Sequence, residues 1–323
     1  MGTVRRVVVT GLSAVGPPGI GKGAVWDGLL SGQSYVGPIQ AFDASSFDCS
    51  IGSEIKDFSC RDFVPKSYRK AVKVMARDIQ LAVAAADTAV RDAGLKTKGI
   101  DGDGYEIEPA RLGCNIGAGL ISCDLTEMAG AVQYAMDEQG RFSIEKWGEE
   151  GMTHLTPLWL LKYLPNMLAC HVTIVHDAQG PSNTITCAEA SSHLAVGEAF
   201  GTIARGAATA CLCGGVESKI NPMSLMRQTL FERLTTQSND DPPAAVRPFD
   251  ASASGTVVSE GGGVLVLEDL DVQNQADGSL LRELENVEVS DNLLITLTLK
   301  AEKPTMSQMP IVTAIEVVRT SSL

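Results

Sequence analysis

Histidine is scarce in this chain of 323 residues, with four in all, and the last of them is His193. A general base or hydrogen-bond donor of that type is therefore absent from the final two-fifths of the sequence. No apolar run reaches the roughly 18–20 residues that span a bilayer. The opening MGTVRRVVVTG passes from two arginines directly into a valine-rich run, without an apolar signal core or a small-residue cleavage site, which excludes a secretory reading and leaves a cytoplasmic one. Met1-Gly2 invites myristoylation, but position 6 is Arg6 where that motif needs Ser or Thr. Positive charge is also short: 26 Lys and Arg against 39 Asp and Glu give a net charge of −13. Nucleic acid and anionic membranes are poor partners for such a surface. The eight cysteines include a CxC at Cys211 and Cys213 but no CxxC, and no His stands at zinc-ligand spacing. No metal site is expected, and the thiols read as buried and free in a reducing compartment.

What is present is a repeating order of apolar strands and helices. VRRVVVTGLSAV reads as a buried strand ended by Gly and Pro. Residues 24–30 read as a short helix. The spacing of apolar residues predicts a long helix over 68–93, stopped by Gly94. RLGCNIGAGL (111–120) reads as a strand entering a glycine turn, followed by a polar cap to about Gly151. Residues 156–170 are expected to be helical with a kink at Pro165. A strand running into a helix follows at 180–193, then the strand AATACLCGG, then a hairpin pairing GTVVSEGGG with VLVLEDL. This alternation predicts a layered α/β fold with a mostly parallel sheet. The texture changes near Leu270, so the expected division is a domain over 1–270 and an atypical tail over 271–323. In that tail QNQADGS is a polar break, and LLITLTLK and PIVTAIEVV read as two strands.

Two glycine-rich loops imitate nucleotide sites. Gly16 to Gly23, GPPGIGKG, matches seven positions of G-x4-G-K-[ST], but Gly23 lacks the hydroxyl that would hold magnesium. Pro17 and Pro18 also remove backbone donors that a phosphate cradle needs. Gly117-Ala118-Gly119 follows a strand but lacks the third glycine of a dinucleotide loop. No cofactor is implied.

The stretch from Gly180 to His193, GPSNTITCAEASSH, carries more. A side chain on a sharp turn between a buried strand and a helix start meets the helix dipole and free backbone N–H groups. Two reactive residues compete for that turn, Cys187 and Glu189. A cysteine there is an activated nucleophile, whereas a glutamate is a fixed charge.

From Arg5 to about Leu270 the chain resembles the β-ketoacyl-acyl-carrier-protein synthases, the thiolase-fold condensing enzymes of fatty-acid and polyketide synthesis. RRVVVTGLSAVGPPGIGKGAVWDGLLSGQS resembles their opening strand, loop and helix. LTPLWLLKYLPNMLACHVTIVHDAQGPSNTIT resembles the dimer-interface segment before the nucleophile. CLCGGVES and AVRPFDASASGTVVSEGGGVLVLEDL resemble the later strand, the RPFD turn and the closing segment. The resemblance implies a thiolase-like αβα fold, chiefly its N-terminal half, with an acyl chain and its carrier protein as partners, and a homodimer or a heterodimer with a full-length synthase.

The resemblance also bears on the turn. The family reads T-A-C there, with Gly-x-Ala eight residues past the cysteine. Counting back from Gly197-Glu198-Ala199 puts Glu189 in the cysteine position and Cys187 in that of the threonine, with Cys187 kept as the alternative nucleophile. The two later catalytic histidines of the family have no counterpart after His193. Relatives with glutamine at the turn serve as chain-length partners or decarboxylating subunits, and glutamate differs from glutamine by its charge. The expected function is therefore a non-condensing, chain-length-factor-like subunit. The alternatives are an active acyltransferase using Cys187, and a condensing-enzyme fragment with no function of its own. Asn166 and Met167 are expected at a two-fold interface, His171 and His176 on either side of an interface strand in structural roles, and His193 one helical turn beyond Glu189, within pairing reach of it.

Overall fold

The structure, a computed structural model, describes residues 5–101, 104–273, 282–289 and 295–299. Seven strands carry the main sheet: β1 (Val7–Gly16), β2 (Leu112–Gly117), β3 (Ser182–Ile185), β4 (Ala210–Ser218), β5 (Val258–Asp269), β6 (Arg282–Val289) and β7 (Ile295–Leu299). They lie in the order β7-β6-β1-β5-β4-β2-β3, with the short strands Gly19–Ile20 and Ile51–Ser53 attached to β1 and β5. The helices used below are α1 (Lys22–Leu30), α2 (Arg77–Asp92), α3 (Leu125–Tyr134), α4 (Met167–His176), α5 (Ser191–Ala204) and α6 (Pro222–Leu230).

Alternation along the strands sorts side chains into two cores. On one face Cys114, Ile116, Leu212 and Val266 pack with α2 and α4. On the other Val7, Val9, Cys211, Cys213 and Leu267 pack with α5. Helix, sheet and helix layers result, the thiolase-like αβα arrangement that the resemblance implies. The cysteines at 49, 60, 114, 211 and 213 are buried and free, and burial pushes the Cys60 and Cys211 thiols up to about 12.

Several expectations need correction. The sheet is mixed. Among the seven strands β3, β2 and β4 pair in parallel, as the short Ile51–Ser53 does with β5, while β5 runs against both β1 and β4. The reason lies in the connection. The chain leaves β4 at Ser218 and enters β5 beside it, with Ser218 opposite Glu260. The nine residues of α6 rise only about 13 Å, and the chain never returns to the start of β4 before β5 begins.

The expected hairpin at GTVVSEGGGVLVLEDL is instead one continuous strand of 12 residues. Gly261, Gly262 and Gly263 do not turn the chain; they let neighbouring backbones approach. A Cβ on Gly261 would lie 3.0 Å from the Val15 carbonyl oxygen, and one on Gly262 would overlap the Gly215 carbonyl and stand 2.6 Å from Val216 Cα. The helix expected from residue 68 begins at Arg77, because Met75 is extended and closes a preceding 3-10 turn at 66–74.

Pro165 breaks the helix expected over 156–170. A 3-10 turn, Trp159–Lys162, precedes it, and α4 starts afresh at Met167. His171 and His176 therefore sit within α4 and do not flank a strand. Leu168, His171, Val172 and Val175 repeat at the i, i+3, i+4, i+7 spacing of one buried helix face. The cap to Gly151 contains α3 and a short helix, Ile144–Glu149. LLITLTLK contributes β7, while PIVTAIEVV, and QNQADGS beyond Gln273, fall outside the described residues.

The glycines of β5 yield a test. Gly262→Ala should cost about 3 kcal/mol or more in urea unfolding, because its Cβ meets rigid backbone. Gly148→Ala, in an exposed helical turn with open space around it, should stabilise by about 0.5–1 kcal/mol. Equal effects from the two would refute close approach as the role of the β5 glycines.

Candidate functional site

The turn between β3 and α5 is built from small residues. Cys187 donates its backbone N–H to Ser191 Oγ at 2.8 Å, and that hydroxyl donates to the Ala188 carbonyl at 2.7 Å. One buried serine thus ties both ends of the turn. Ala188 takes a left-handed φ of +47°, a conformation that L side chains rarely adopt. A 3-10 turn over Ala188–Ala190 then leads into α5, with Glu189 at its centre.

Glycine sets where this turn stands. A Cβ on Gly117 would overlap the backbone of Ser191 and Ser192, and one on Gly215 would lie 2.6 Å from Ser192 Cβ. The start of α5 consequently rests directly on the ends of β2 and β4. The resulting cavity of about 170 Å³ is lined by Gly117, Gly119, Gly215 and Gly261, with Glu189 and Glu217 contributing its charge. Glu217 is held by an ion pair to Lys219.

The Glu189 side chain is 62% exposed and meets Arg233 Nη1 at 3.2 Å. An exposed pair of this kind contributes about 0.2–1 kcal/mol at most, so its consequence is orientation. The Cys187 thiol is exposed and lies just before the left-handed Ala188, outside the 3-10 turn that holds Glu189. His193 does not pair with Glu189. Its ring is half-buried, stands 3.4 Å from Ser192 Oγ and is held below the usual histidine range by desolvation.

The other expected residues lie elsewhere. His171 hydrogen-bonds the Tyr68 hydroxyl at 2.8 Å and His176 the Thr97 hydroxyl at 2.8 Å, both buried under α4 across the sheet from α5. Neither lines the cavity at Glu189. Asn166 is exposed at the start of α4, and Met167 packs against the core beneath it. Among the described residues, no three His, Cys, Asp or Glu converge to hold a metal ion. Nor is any helix among them long and apolar enough to cross a membrane. Arg233 and Glu217 escaped the sequence reading. Arg233 meets Glu189 across 44 positions, and no periodicity connects them.

The family model described as "Beta-ketoacyl synthase, N-terminal domain" matches residues 4–273. The chain is 34% identical over 267 residues to "3-oxoacyl-[acyl-carrier-protein] synthase 2" of Synechocystis sp., covering 83% of this chain and 58% of that protein. It is 35% identical over 274 residues to "Putative polyketide beta-ketoacyl synthase 1" of Streptomyces halstedii, covering 83% of this chain and 59% of that one. The solved structure titled "The ishigamide ketosynthase/chain length factor" is similar at a TM-score of 0.67 and 26% identity, over 87% of this chain and 62% of that one. The chain thus spans about three-fifths of the length of these curated relatives.

His176 gives a pH test. Complete burial lowers its pKa from 6.5 to about 4. Above 6.5 the neutral ring costs nothing. As pH falls from 6.5 to 4 the unfolded chain takes up a proton that the folded chain refuses, and on the order of 3 kcal/mol of stability is lost. Burial raises Asp78 to about 6, an effect of opposite sign that is common to wild type and variant. His176→Gln should therefore flatten the fall in urea-unfolding free energy between pH 7 and pH 4.5. Parallel profiles for the two proteins would contradict this assignment.

Proposed function

The chain belongs to the β-ketoacyl synthase family, whose N-terminal domain it carries, and on that premise we propose that it is a non-condensing, chain-length-factor-like subunit of acyl-chain synthesis with Glu189 standing in the nucleophile position. The observation that carries this reading is the turn itself. The side chain at its centre is a carboxylate oriented by Arg233, and a carboxylate has no thiol with which to take an acyl group as a thioester.

Two surfaces support the proposed partners. Along 66–73 Lys66, Arg69, Lys70 and Lys73 are all exposed on a chain whose net charge is −13. Such a local basic surface suits the anionic phosphodiester arm of an acyl carrier protein. β3 ends the sheet order, so its outer edge is open to strand addition among the described residues. A second copy or a companion synthase that pairs there would continue the sheet and bury the edge. The second reading, an acyltransferase, is favoured by the exposed Cys187 thiol.

Intact-mass analysis after incubation with acyl-carrier-protein thioesters separates the two. Wild type and Cys187→Ala should both remain unmodified. Glu189→Cys should gain one acyl group, with the carrier's thiol as leaving group. An adduct on wild type that disappears in Cys187→Ala would establish the acyltransferase instead.

A further inference from the structure

A second cavity, of about 190 Å³, opens beside the first turn of α2 and is bordered by Arg77, Asp78, Lys162 and Ser218. Its arginine belongs to the scaffold. Arg77 donates to both carboxylate oxygens of Glu260 at 2.9 Å and to the Ile55 carbonyl at 2.7 Å, a fork closed on a buried carboxylate. Arg233, at the Glu189 turn, is used differently. Among the described residues its Nη1 alone meets a hydrogen-bond acceptor, Glu189 Oε1 at 3.2 Å, and both side chains are open to solvent.

The position of that guanidinium is nonetheless fixed. Glu232 closes α6 in a left-handed conformation, with φ of +53°. The Arg233 N–H then donates to the Gln228 carbonyl at 3.2 Å, and the Arg233 carbonyl accepts the Thr256 N–H at 2.9 Å. A Cβ on Gly255 would stand 2.9 Å from that same carbonyl oxygen, so the two backbones touch. The guanidinium carbon lies 5.4 Å from the centre of the Phe231 ring, within cation–π range. None of these contacts involves Glu189.

Charge around the first cavity is balanced. Glu217 is paired with Lys219 and Glu189 with Arg233, and no other charged side chain among the described residues lines it. An acyl group ending in a carboxylate would bring a third negative charge to two cations. It would also compete for Arg233 with a carboxylate already tethered beside it, which holds the advantage of an intramolecular partner. An uncharged acyl group meets neither obstacle.

We propose that Arg233 is a carboxylate-binding residue that Glu189 keeps occupied, so that this protein admits uncharged acyl groups to the turn and turns away those ending in a free carboxylate. The inference rests on the reading of the protein as an acyl-chain-binding subunit and adds the class of acyl group. Glu189 acts as a built-in competitor, and no covalent bond changes.

The test is calorimetric titration of the full chain with pantetheine thioesters of malonate and succinate, and of butyrate and valerate as uncharged groups of similar length. Wild type should bind the uncharged members more tightly. Glu189→Gln keeps the size of the side chain and removes its charge. It should tighten the better-fitting diacid thioester by about fivefold, the equivalent of one partly exposed ion pair, with little change for the uncharged ones. Adding Arg233→Met should abolish that gain. An unchanged preference in Glu189→Gln would overturn the inference. So would a gain that survives Arg233→Met, because it would come from removing a negative charge alone. Either result leaves acyl binding in place, whereas binding of none of the four thioesters would overturn that reading and this inference with it.

Discussion

The close contact of α5 with the ends of β2 and β4 governs everything around the turn. Packing a helix start directly on a sheet requires that no Cβ intervene, and Gly117 and Gly215 meet that requirement where a methyl group would collide with Ser191 or Ser192. The same constraint recurs along β5, whose three consecutive glycines let it lie between β1 and β4 as an unbroken strand. With these backbones in contact, Ser191 reaches both Cys187 and Ala188, and the left-handed Ala188 has enough support to persist. The polar turn is thus a consequence of apolar and backbone packing below it.

A second set of contacts ties β5 to α2. Glu260, buried at 6% exposure, accepts two bonds from Arg77, one from Ser218 Oγ and one from the Ile55 N–H. A carboxylate so fully engaged is stable in a dry setting, whereas removing one partner would leave an uncompensated buried charge. Asp78 lies beside this network and accepts the Ser218 N–H at 3.0 Å. The two cavities flank β4, which contributes Glu217 to one and Ser218 to the other.

Local chemistry made much of this legible. The valine-rich run became β1, the apolar spacing after residue 76 became α2, and the T-C-A-E order placed a turn before α5. Errors arose wherever one local signal admitted two structures. Three glycines in a row read as a turn, but glycine serves close approach as readily as reversal. HVTIVH reads as a strand by composition, yet burial on one helical face overrides β-branched propensity. Pro165 was seen correctly as a disruption, and only the new start at Met167 distinguishes a break from a kink.

The sequence by itself determined β1, α2, the turn before α5 and the glutamate within it, and the family through a series of such local motifs, because each motif depends on residues within about one helix length of one another. Tertiary structure alone decided the direction of β5, the Arg233 contact to Glu189 and the Ser218 contact to Asp78. Those depend on where the chain returns after long excursions, and Asp78 meets Ser218 across 140 positions. No periodic pattern encodes such an encounter; it exists only once the two cores have packed and brought the segments to the same end of the sheet.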